Sequence, residues 1–314
     1  MSSFTHALEL AERGRGKTGD HPLVGAVLER DGEIVGEGWY EYDGVRHAEA
    51  IALERAGEAA RGATLYVTLE PCSHHGRTPP CADAVAAAGV ARVVVGARDP
   101  NPVVDGRGLE RLRAAGIEVE LLDDLAARRQ NEAWRVWKSL GRPFVTCKVA
   151  VTLDGRVVVP GRRWVSGEES RQRVHELRAA SDAVAVGMGT VRADAPRLDA
   201  RGVGAVRQPR RLAFGRGPLP EGSELELRSR PLDEELRTLA AEGVQSLLLE
   251  GGPTLVTAFL AAGLVDKLLL FVAPVLAGQG PHVLGDLDAP VELLHLHAEP
   301  SGEDVLMEAY LREP

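Results

Sequence analysis

Short apolar runs alternate with helical patterns along almost the whole chain, and this alternation constrains the fold more than any other feature. Strands that alternate with helices form a mostly parallel sheet that helices cover on both faces. A Gly-Arg-Pro segment interrupts the alternation, because Gly141 can end a helix and Pro143 cannot continue it. With 314 residues the chain is long enough for two domains. We therefore expect two α/β domains, at residues 1–141 and 142–314.

The sequence of residues 1–141 predicts a hairpin with a two-residue turn, followed by alternating strands and helices. Asp31-Gly32 lies between apolar runs at 23–28 and 33–38, and Gly accepts a positive φ at no steric cost. Further strands are predicted at 64–69, 92–96 and 117–122, and helices at 48–57, 82–88, 109–114 and 125–140. The second part predicts strands at 144–151, 183–187, 211–214, 246–250 and 267–272, and helices at 170–180, 232–242 and 254–262.

The composition excludes several classes of protein. Its 44% hydrophobic and 26% charged residues are typical of a globular protein and not of a disordered one. No run approaches the ~18 apolar residues of a membrane span, and the start of the chain lacks the apolar segment of a signal peptide. The net charge of −9 is spread evenly, which argues against a nucleic-acid partner. We expect a cytoplasmic homo-oligomer that binds neither nucleic acid nor membrane.

Three cysteines need an explanation, because three thiols cannot form a disulfide scaffold in a chain of this length. Cys147 lies in an apolar predicted strand and is expected to be a small core residue. Cys72 and Cys81 are closer to His47 along the chain than Cys147 is. An imidazole with two thiolates makes a good ligand set for zinc. Three ligands leave a fourth coordination position for water, as in catalytic zinc sites.

Glu49 is the candidate catalytic residue, because a carboxylate two residues after His47 can move protons at such a site. We expect Glu49 to deprotonate the water and then to deliver a proton to the substrate ring and to the leaving ammonia. A closed structural zinc site is the alternative, in which His74 or His75 supplies a fourth ligand.

The stretch from Glu70 to Cys81 reads Glu-Pro-Cys-Ser-His-His-Gly-Arg-Thr-Pro-Pro-Cys. With the run from His47 to Glu49, it resembles the zinc nucleobase deaminases, except that eight residues and not two separate the cysteines. In this form it resembles the pyrimidine deaminase domain of the bacterial bifunctional deaminase–reductase family of riboflavin biosynthesis. In the insert, the guanidinium of Arg77 is expected to bind a substrate phosphate. His74 is expected to donate a hydrogen bond to a ribose or base. His21 replaces a substrate-binding Asn of the family and can still hydrogen-bond.

Two glycine turns in the second part each follow a predicted strand and open a helix, at residues 187–190 and 250–255. Glycines let the backbone approach a phosphate, and the free amides of a helix start favour anions, so a dinucleotide site is predicted here. Ordered motifs from residue 148 to residue 276 resemble the reductase domain of the same family. That resemblance implies a dihydrofolate-reductase-like fold and NADPH as the cofactor.

The resemblance also assigns roles to residues of the second part. Nucleotide contacts are implied for Ala150, Trp164, Thr190, Asp194, Gly252, Pro253 and Thr254. Substrate contacts are implied for Arg178, Leu198, Arg201 and Glu250, where arginines suit a sugar phosphate and the carboxylate can accept from an amino or hydroxyl group. The chain departs from the family between residues 211 and 248, where a strand and connection that commonly border the cofactor are expected to be missing.

The sequence thus predicts a two-step enzyme with a cytidine-deaminase-like three-layer domain and a dihydrofolate-reductase-like domain. Residues 1–141 would deaminate a phosphorylated diaminopyrimidinone at zinc, and residues 142–314 would reduce the ribosyl group of the product with NADPH. One alternative keeps the deaminase and makes the second domain a nucleotide-binding or dimerising module without turnover. Another alternative is a nucleic-acid adenosine or cytidine deaminase, against which the acidic balance and the phosphate-suited insert argue.

Overall fold

A computed structural model describes residues 2–41, 45–75 and 79–314. The chain divides into two units, Met1–Leu140 (unit 1) and Gly141–Pro314 (unit 2). Within the described ranges, no helix is both long enough and apolar enough to cross a membrane.

The described part of unit 1 forms a five-stranded sheet in the order β2-β1-β3-β4-β5. β1 pairs antiparallel with β2 and β3, whereas β3, β4 and β5 are parallel. The strands are β1 Gly25–Arg30, β2 Glu33–Trp39, β3 Thr64–Leu69, β4 Arg92–Ala97 and β5 Glu118–Leu121. The helices are α1 Ser3–Glu12, α2 Ala48–Ala56, α3 Cys81–Ala87, α4 Arg107–Ala114, α5 Leu125–Gln130 and α6 Glu132–Leu140.

The hairpin predicted at Asp31-Gly32 is present, and both residues have positive φ angles, of 53° and 83°. This is the backbone that a two-residue turn of type I′ requires. The single helix predicted over 125–140 is wrong, because Asn131 divides it into α5 and α6. The Asn131 side chain accepts from the amide of Leu23 and donates to its carbonyl, each at 2.8 Å, so a distant segment interrupts the helix.

The described part of unit 2 forms an eight-stranded sheet in the order β12-β13-β11-β6-β10-β7-β8-β9. Six neighbouring strands are parallel, namely β11, β6, β10, β7, β8 and β9. β13 pairs antiparallel with both β11 and β12. The strands are β6 Phe144–Thr152, β7 Ala183–Gly187, β8 Arg210–Phe214, β9 Glu226–Arg228, β10 Ser246–Leu249, β11 Lys267–Ala273, β12 Leu294–Ser301 and β13 Asp304–Tyr310. The helices are α7 Glu168–Ala180, α8 Met188–Asp194, α9 Leu232–Ala241 and α10 Pro253–Ala261.

The stretch between residues 211 and 248, where a strand and connection of the family are expected to be missing, contains the short edge strand β9, which was not predicted. β9 has only three residues, and charged side chains tie it to its neighbours. Arg210 of β8 bonds Glu226 at 2.6 Å and Glu242 at 2.7 Å, and Arg228 bonds Glu242 at 3.1 Å. A network of several ion pairs can hold a strand whose apolar pattern is too short to predict.

A buried ion pair anchors the start of unit 2. Asp266, with no exposed side-chain surface, accepts two hydrogen bonds of 2.7 Å from Arg142 and another contact of 2.7 Å from Arg312. The same carboxylate accepts from the amide of Val145 at 2.8 Å. Arg142 is the arginine of the Gly-Arg-Pro break, so the break that ends α6 also carries the anchor that begins the next sheet.

We predict that Asp266→Asn lowers the free energy of unfolding of unit 2 by about 3–5 kcal/mol, because Arg142 would then be a buried charge without a counter-ion. Urea denaturation followed by circular dichroism measures this change. The control is Glu299→Gln, which removes a half-exposed ion pair with Arg173 and should cost less than about 1 kcal/mol. Equal effects of the two substitutions would contradict the anchoring role.

Candidate functional site

Three side chains of unit 1 converge on one point from separate elements. His47 lies immediately before α2, Cys72 follows β3, and Cys81 is the first residue of α3. The Nδ1 atom of His47 lies 3.7 Å from the Sγ of Cys72 and 3.2 Å from the Sγ of Cys81. All three candidate ligand atoms lie within 4.8 Å of one another.

This donor set fits zinc, since one imidazole nitrogen and two sulfurs are ligands that zinc prefers. The hydrogen bond between the two thiols lowers the pKa of Cys72 and raises the pKa of Cys81, so that one thiolate is favoured before any metal binds. Within residues 2–41, 45–75 and 79–314, no fourth His, Cys, Asp or Glu atom joins the cluster. The described residues therefore favour an open site over the closed one that His74 or His75 would complete.

Glu49 lies in the first turn of α2 and lines the same cavity as the ligand cluster. Only 3% of the residue is exposed. Burial raises the pKa of Glu49 to about 7, against the opposing effect of His47. A carboxyl group with a pKa near neutrality can both accept and return a proton, which is what general acid–base catalysis requires.

The cavity beside the cluster has a volume of about 320 Å³, enough for a small ligand. Two of the predicted substrate-binding residues, His21 and His74, line it. The ring of His21 stacks on the ring of Tyr40 with their centroids 4.9 Å apart, which orients the imidazole at the cavity wall. Arg77, the predicted phosphate ligand, lies outside the described residues.

Asp99, Asn101 and Trp134 also line this cavity, although no sequence motif indicates them. The Oδ1 atom of Asp99 accepts from the amide of Asn101 at 2.9 Å and from the indole Nε1 of Trp134 at 3.1 Å. Burial raises the pKa of Asp99. Their position in the sequence could have indicated them, because Asp99 and Asn101 follow β4 and Cys72 follows the parallel neighbour β3.

The Glu70 carboxylate holds this wall in place. It accepts hydrogen bonds from the backbone amides of Gly106 at 3.0 Å and Gly108 at 2.9 Å, and longer ones from Asp99 and Leu109. Gly108 admits no side chain, because a Cβ there would lie 2.0 Å from the carbonyl oxygen of Pro71. Glu70 of the cysteine motif is thus a positioning residue for the loop that follows β4.

A second cluster, in unit 2, joins Arg178 of α7, Lys148 of β6 and Glu250, which follows β10. Arg178 donates to the Glu250 carboxylate at 2.6 and 3.0 Å, and the Lys148 Nζ lies 3.9 Å from the same group. Burial alone would raise the pKa of Glu250, but Lys148 and Arg178 outweigh burial and lower it. Burial lowers the pKa of Lys148. Lys148 begins the stretch that resembles the reductase domain, but the sequence analysis assigns no site role to it.

The other two predicted substrate residues of unit 2 lie in the segment beside this cluster. Arg178 donates to the carbonyl of Asp199 at 3.1 Å, and the exposed guanidinium of Arg201 pairs with the Asp199 carboxylate. Leu198 has a positive φ of 54°, and its side chain is 2% exposed in the apolar core. Only the backbone of Leu198 can therefore face a ligand.

A larger cavity of about 630 Å³ lies where the glycine turns of unit 2 meet. The predicted nucleotide-binding residues that line it are Thr190, Asp194, Gly252, Pro253 and Thr254. A Cβ on Gly252 would stand 3.6 Å from the Oγ1 of Thr190, so the two turns adjoin and the missing side chain keeps space between them. Such a cradle at the start of α10 fits the phosphates of a dinucleotide.

Two predicted nucleotide contacts do not line this cavity. Ala150 lies in β6 and packs against the apolar cluster that contains Phe271. Trp164 is 52% exposed, and its ring lies 5.0 Å from the guanidinium of Arg163 and 5.7 Å from that of Arg171. A role for either residue would therefore concern a part of the ligand outside the cavity.

Both units match known family models. Residues 2–97 match the cytidine and deoxycytidylate deaminase zinc-binding region, and residues 143–307 match the RibD C-terminal domain. The chain is 39% identical to the riboflavin biosynthesis protein RibD of Aquifex aeolicus, with 96% of this chain and 95% of the relative covered. It is 41% identical to the Escherichia coli protein of the same name, with 88% of each covered.

Solved structures agree with these matches. RibD of Acinetobacter baumannii, 36% identical, superposes with a TM-score of 0.85 over 98% of this chain and 97% of that chain. A Thermotoga maritima structure described as a diaminohydroxyphosphoribosylaminopyrimidine deaminase and 5-amino-6-(5-phosphoribosylamino)uracil reductase is 34% identical, with a TM-score of 0.84 and the same coverage. The predicted family and the predicted pairing of a deaminase-type with a reductase-type fold are confirmed. The chain belongs to the RibD family of bifunctional riboflavin biosynthesis proteins.

Proposed function

We propose that the chain catalyses two consecutive steps of riboflavin biosynthesis. Unit 1 hydrolytically deaminates 2,5-diamino-6-ribosylamino-4(3H)-pyrimidinone 5′-phosphate, and unit 2 reduces the ribosyl group of the product to a ribityl group with NADPH. The observation that carries this proposal is the convergence of His47, Cys72 and Cys81 beside the buried carboxyl group of Glu49. The Thermotoga maritima relative is named for both activities.

In the first step, His47, Cys72 and Cys81 are the residues that would hold zinc. Zinc in such a ligand set supplies Lewis acidity, which brings the pKa of a water toward ~7. The Glu49 carboxylate takes one proton from the attacking water and gives it to the ring nitrogen. It then takes the second proton, from the hydroxyl group that has been added, and gives it to the amino group that leaves as ammonia. His21 holds the substrate at the cavity wall.

In the second step, NADPH supplies the hydride, and the protein aligns the cofactor with the sugar and excludes water. The turn at Gly252 and the hydroxyl of Thr190, which line the larger cavity, are the groups that would bind the cofactor phosphates. Arg178 and Glu250 hold the substrate, since their paired charges offer both donors and acceptors to a sugar. Lys148 adds a further donor in the same cluster.

The location and assembly of the enzyme follow from its chemistry and its surface. None of Cys72, Cys81 and Cys147 forms a disulfide, which suits the reducing cytoplasm. Leu294 and Leu296 of the edge strand β12 are 37% and 59% exposed, and exposed apolar residues on an edge strand favour pairing with another chain. We infer a cytoplasmic homo-oligomer.

The proposal is tested with purified, zinc-loaded protein and the diaminopyrimidinone phosphate. Ammonia release should come first, and NADPH oxidation should then depend on the deaminated product. Release of ammonia without any NADPH oxidation would instead support the alternative in which the second unit binds nucleotide or dimerises without turnover.

Glu49→Gln should keep zinc but lose deamination by about 10²–10⁴-fold, because the amide cannot carry the proton. Metal analysis and ammonia release measure the two properties separately. Glu54→Gln is the matched control, since Glu54 lies on the same helix with its side chain 71% exposed. Normal turnover by the Glu49 variant would show that another group moves the proton.

Arg77→Ala should raise the Michaelis constant for the phosphorylated substrate far more than that for its nucleoside, because only the former offers a phosphate to the guanidinium. Steady-state kinetics with both compounds measure the difference. An equal effect on both would remove phosphate binding as the role of Arg77.

A further inference from the structure

The cavity beside the metal-ligand cluster of unit 1 is acidic for a site that receives a phosphorylated substrate. The described residues that line it include four carboxylic side chains and no lysine or arginine. The four are Asp20, Glu49, Glu70 and Asp99. A phosphate dianion is repelled by carboxylates and bound by guanidinium or ammonium groups. The charge that attracts the phosphate must therefore come from residues beside this lining.

The phosphate belongs at the open end of this cavity. Glu49 and the metal-ligand cluster mark the buried end, since Glu49 is 3% exposed. Asp20 marks the open end, because it lines the cavity and its side chain is 69% exposed. The reacting base must reach Glu49, and the 5′-phosphate lies at the other end of a nucleotide. The phosphate would therefore lie near Asp20, whose negative charge repels it.

Lys138 of α6 is held beside this cavity by two indole rings. Its Nζ atom lies 4.5 Å from the ring centroid of Trp134 and 3.8 Å from that of Trp137. Trp134 itself lines the cavity, and its indole donates to the Asp99 carboxylate at 3.1 Å. Cation–π contacts of this kind fix an ammonium group without neutralising its charge.

The charges of the cavity wall act on Lys138. Burial lowers the pKa of Lys138, and the charge of Asp20 and then that of Asp99 oppose this effect. Both carboxylates line the cavity, so the ammonium lies within electrostatic reach of its wall. The larger of the two opposing effects comes from Asp20, the residue at the open end.

Two arginines close to the cavity are already paired. Arg46 and Arg98 each adjoin a lining residue in the chain, but Arg46 pairs with Glu54, and Arg98 pairs with Asp105 at 2.9 Å. Lys138 differs from them, because in the ranges that the structure describes no carboxylate lies within ion-pair distance of its ammonium. Its positive charge is therefore available to a ligand.

We propose that Lys138 binds the 5′-phosphate of the substrate at the open end of the unit 1 cavity, where it offsets the charge of Asp20. This inference rests on the proposed deaminase function and assigns a role to a residue that no sequence motif indicates. Lys138 would share the phosphate with Arg77, since a dianion can accept hydrogen bonds from two cations. Trp134 and Trp137 are positioning residues, because they act through the ammonium that they hold.

The test is ammonia release by the zinc-loaded whole chain from the diaminopyrimidinone phosphate and from its nucleoside. Lys138→Met removes the ammonium and keeps an apolar chain against the two indole rings. It should raise the Michaelis constant for the phosphorylated substrate about tenfold and change that for the nucleoside less than about twofold. The kcat for both compounds should stay within about twofold of the wild-type value. Lys138→Arg should recover most of the loss, because it keeps the charge.

Asp20→Asn should have an effect of the opposite sign. Removal of this carboxylate should lower the Michaelis constant for the phosphorylated substrate about two- to fivefold and leave that for the nucleoside unchanged. Added salt should raise the Michaelis constant for the phosphorylated substrate more in the wild-type protein than in Lys138→Met, because salt screens the charge that the variant lacks.

Lys267→Met is the matched control, because Lys267 is a lysine of unit 2 whose ammonium lies 4.9 Å from the ring centroid of Tyr310. This variant loses the same charge and the same kind of contact, but Lys267 does not line the unit 1 cavity. Its constants for deamination should equal those of the wild-type protein. Urea denaturation followed by circular dichroism verifies that each variant is folded.

The outcomes separate this inference from the proposed function. Unchanged constants for Lys138→Met, or an equal rise for the phosphorylated substrate and the nucleoside, would overturn phosphate binding by Lys138 and leave deamination standing. A lower kcat with unchanged Michaelis constants would also overturn it, since Lys138 would then act only on the structure of the site. Failure of the wild-type protein to release ammonia would overturn the proposed deaminase function, and this inference with it.

Discussion

In both units, parallel strands that end at one edge of a sheet bring together chemistry that lies far apart along the chain. In unit 1, Cys72 follows β3 and Asp99 follows the neighbouring β4. The metal-ligand cluster and Asp99 therefore line the same cavity. In unit 2, the turns at Gly187 and Gly252 both follow strands that end at one edge. Backbone hydrogen bonds set this edge, so the sites depend on strand order before they depend on any one side chain.

Buried carboxylates then hold the segments that reach these edges. Glu70 accepts four hydrogen bonds from backbone amides of the loop after β4 and of the first turn of α4. Asp266 binds Arg142 at the start of unit 2 and Arg312 near its end, and Glu250 binds Arg178 beside the glycine turn. A carboxylate is tolerated in the interior only where it is paired or hydrogen-bonded. Each of these groups therefore fixes the geometry of the segments that it contacts.

Most elements of the fold were predictable, because apolar period and turn chemistry are local properties. The strand predicted at 64–69 and the hairpin turn at Asp31-Gly32 are examples. The break at Asn131 was not predictable, since its partner Leu23 is 108 residues away in the chain. The strand β9 was not predictable either, because ion pairs and not buried apolar side chains hold it. The strand β12 was not predictable because most of its residues are exposed or half-buried.

The sequence by itself determined the family, the pairing of two fold types and the residue types of the metal cluster, because motifs of Cys, His and Gly are read along the chain. Only the tertiary structure decided which residues share a cavity. It placed Asp99 and Trp134 beside the metal ligands and Lys138 against the ring of Trp134, and it left Trp164 outside the nucleotide cavity. The physical reason is that neighbours across a sheet edge are set by strand order and register, which depend on contacts between distant segments.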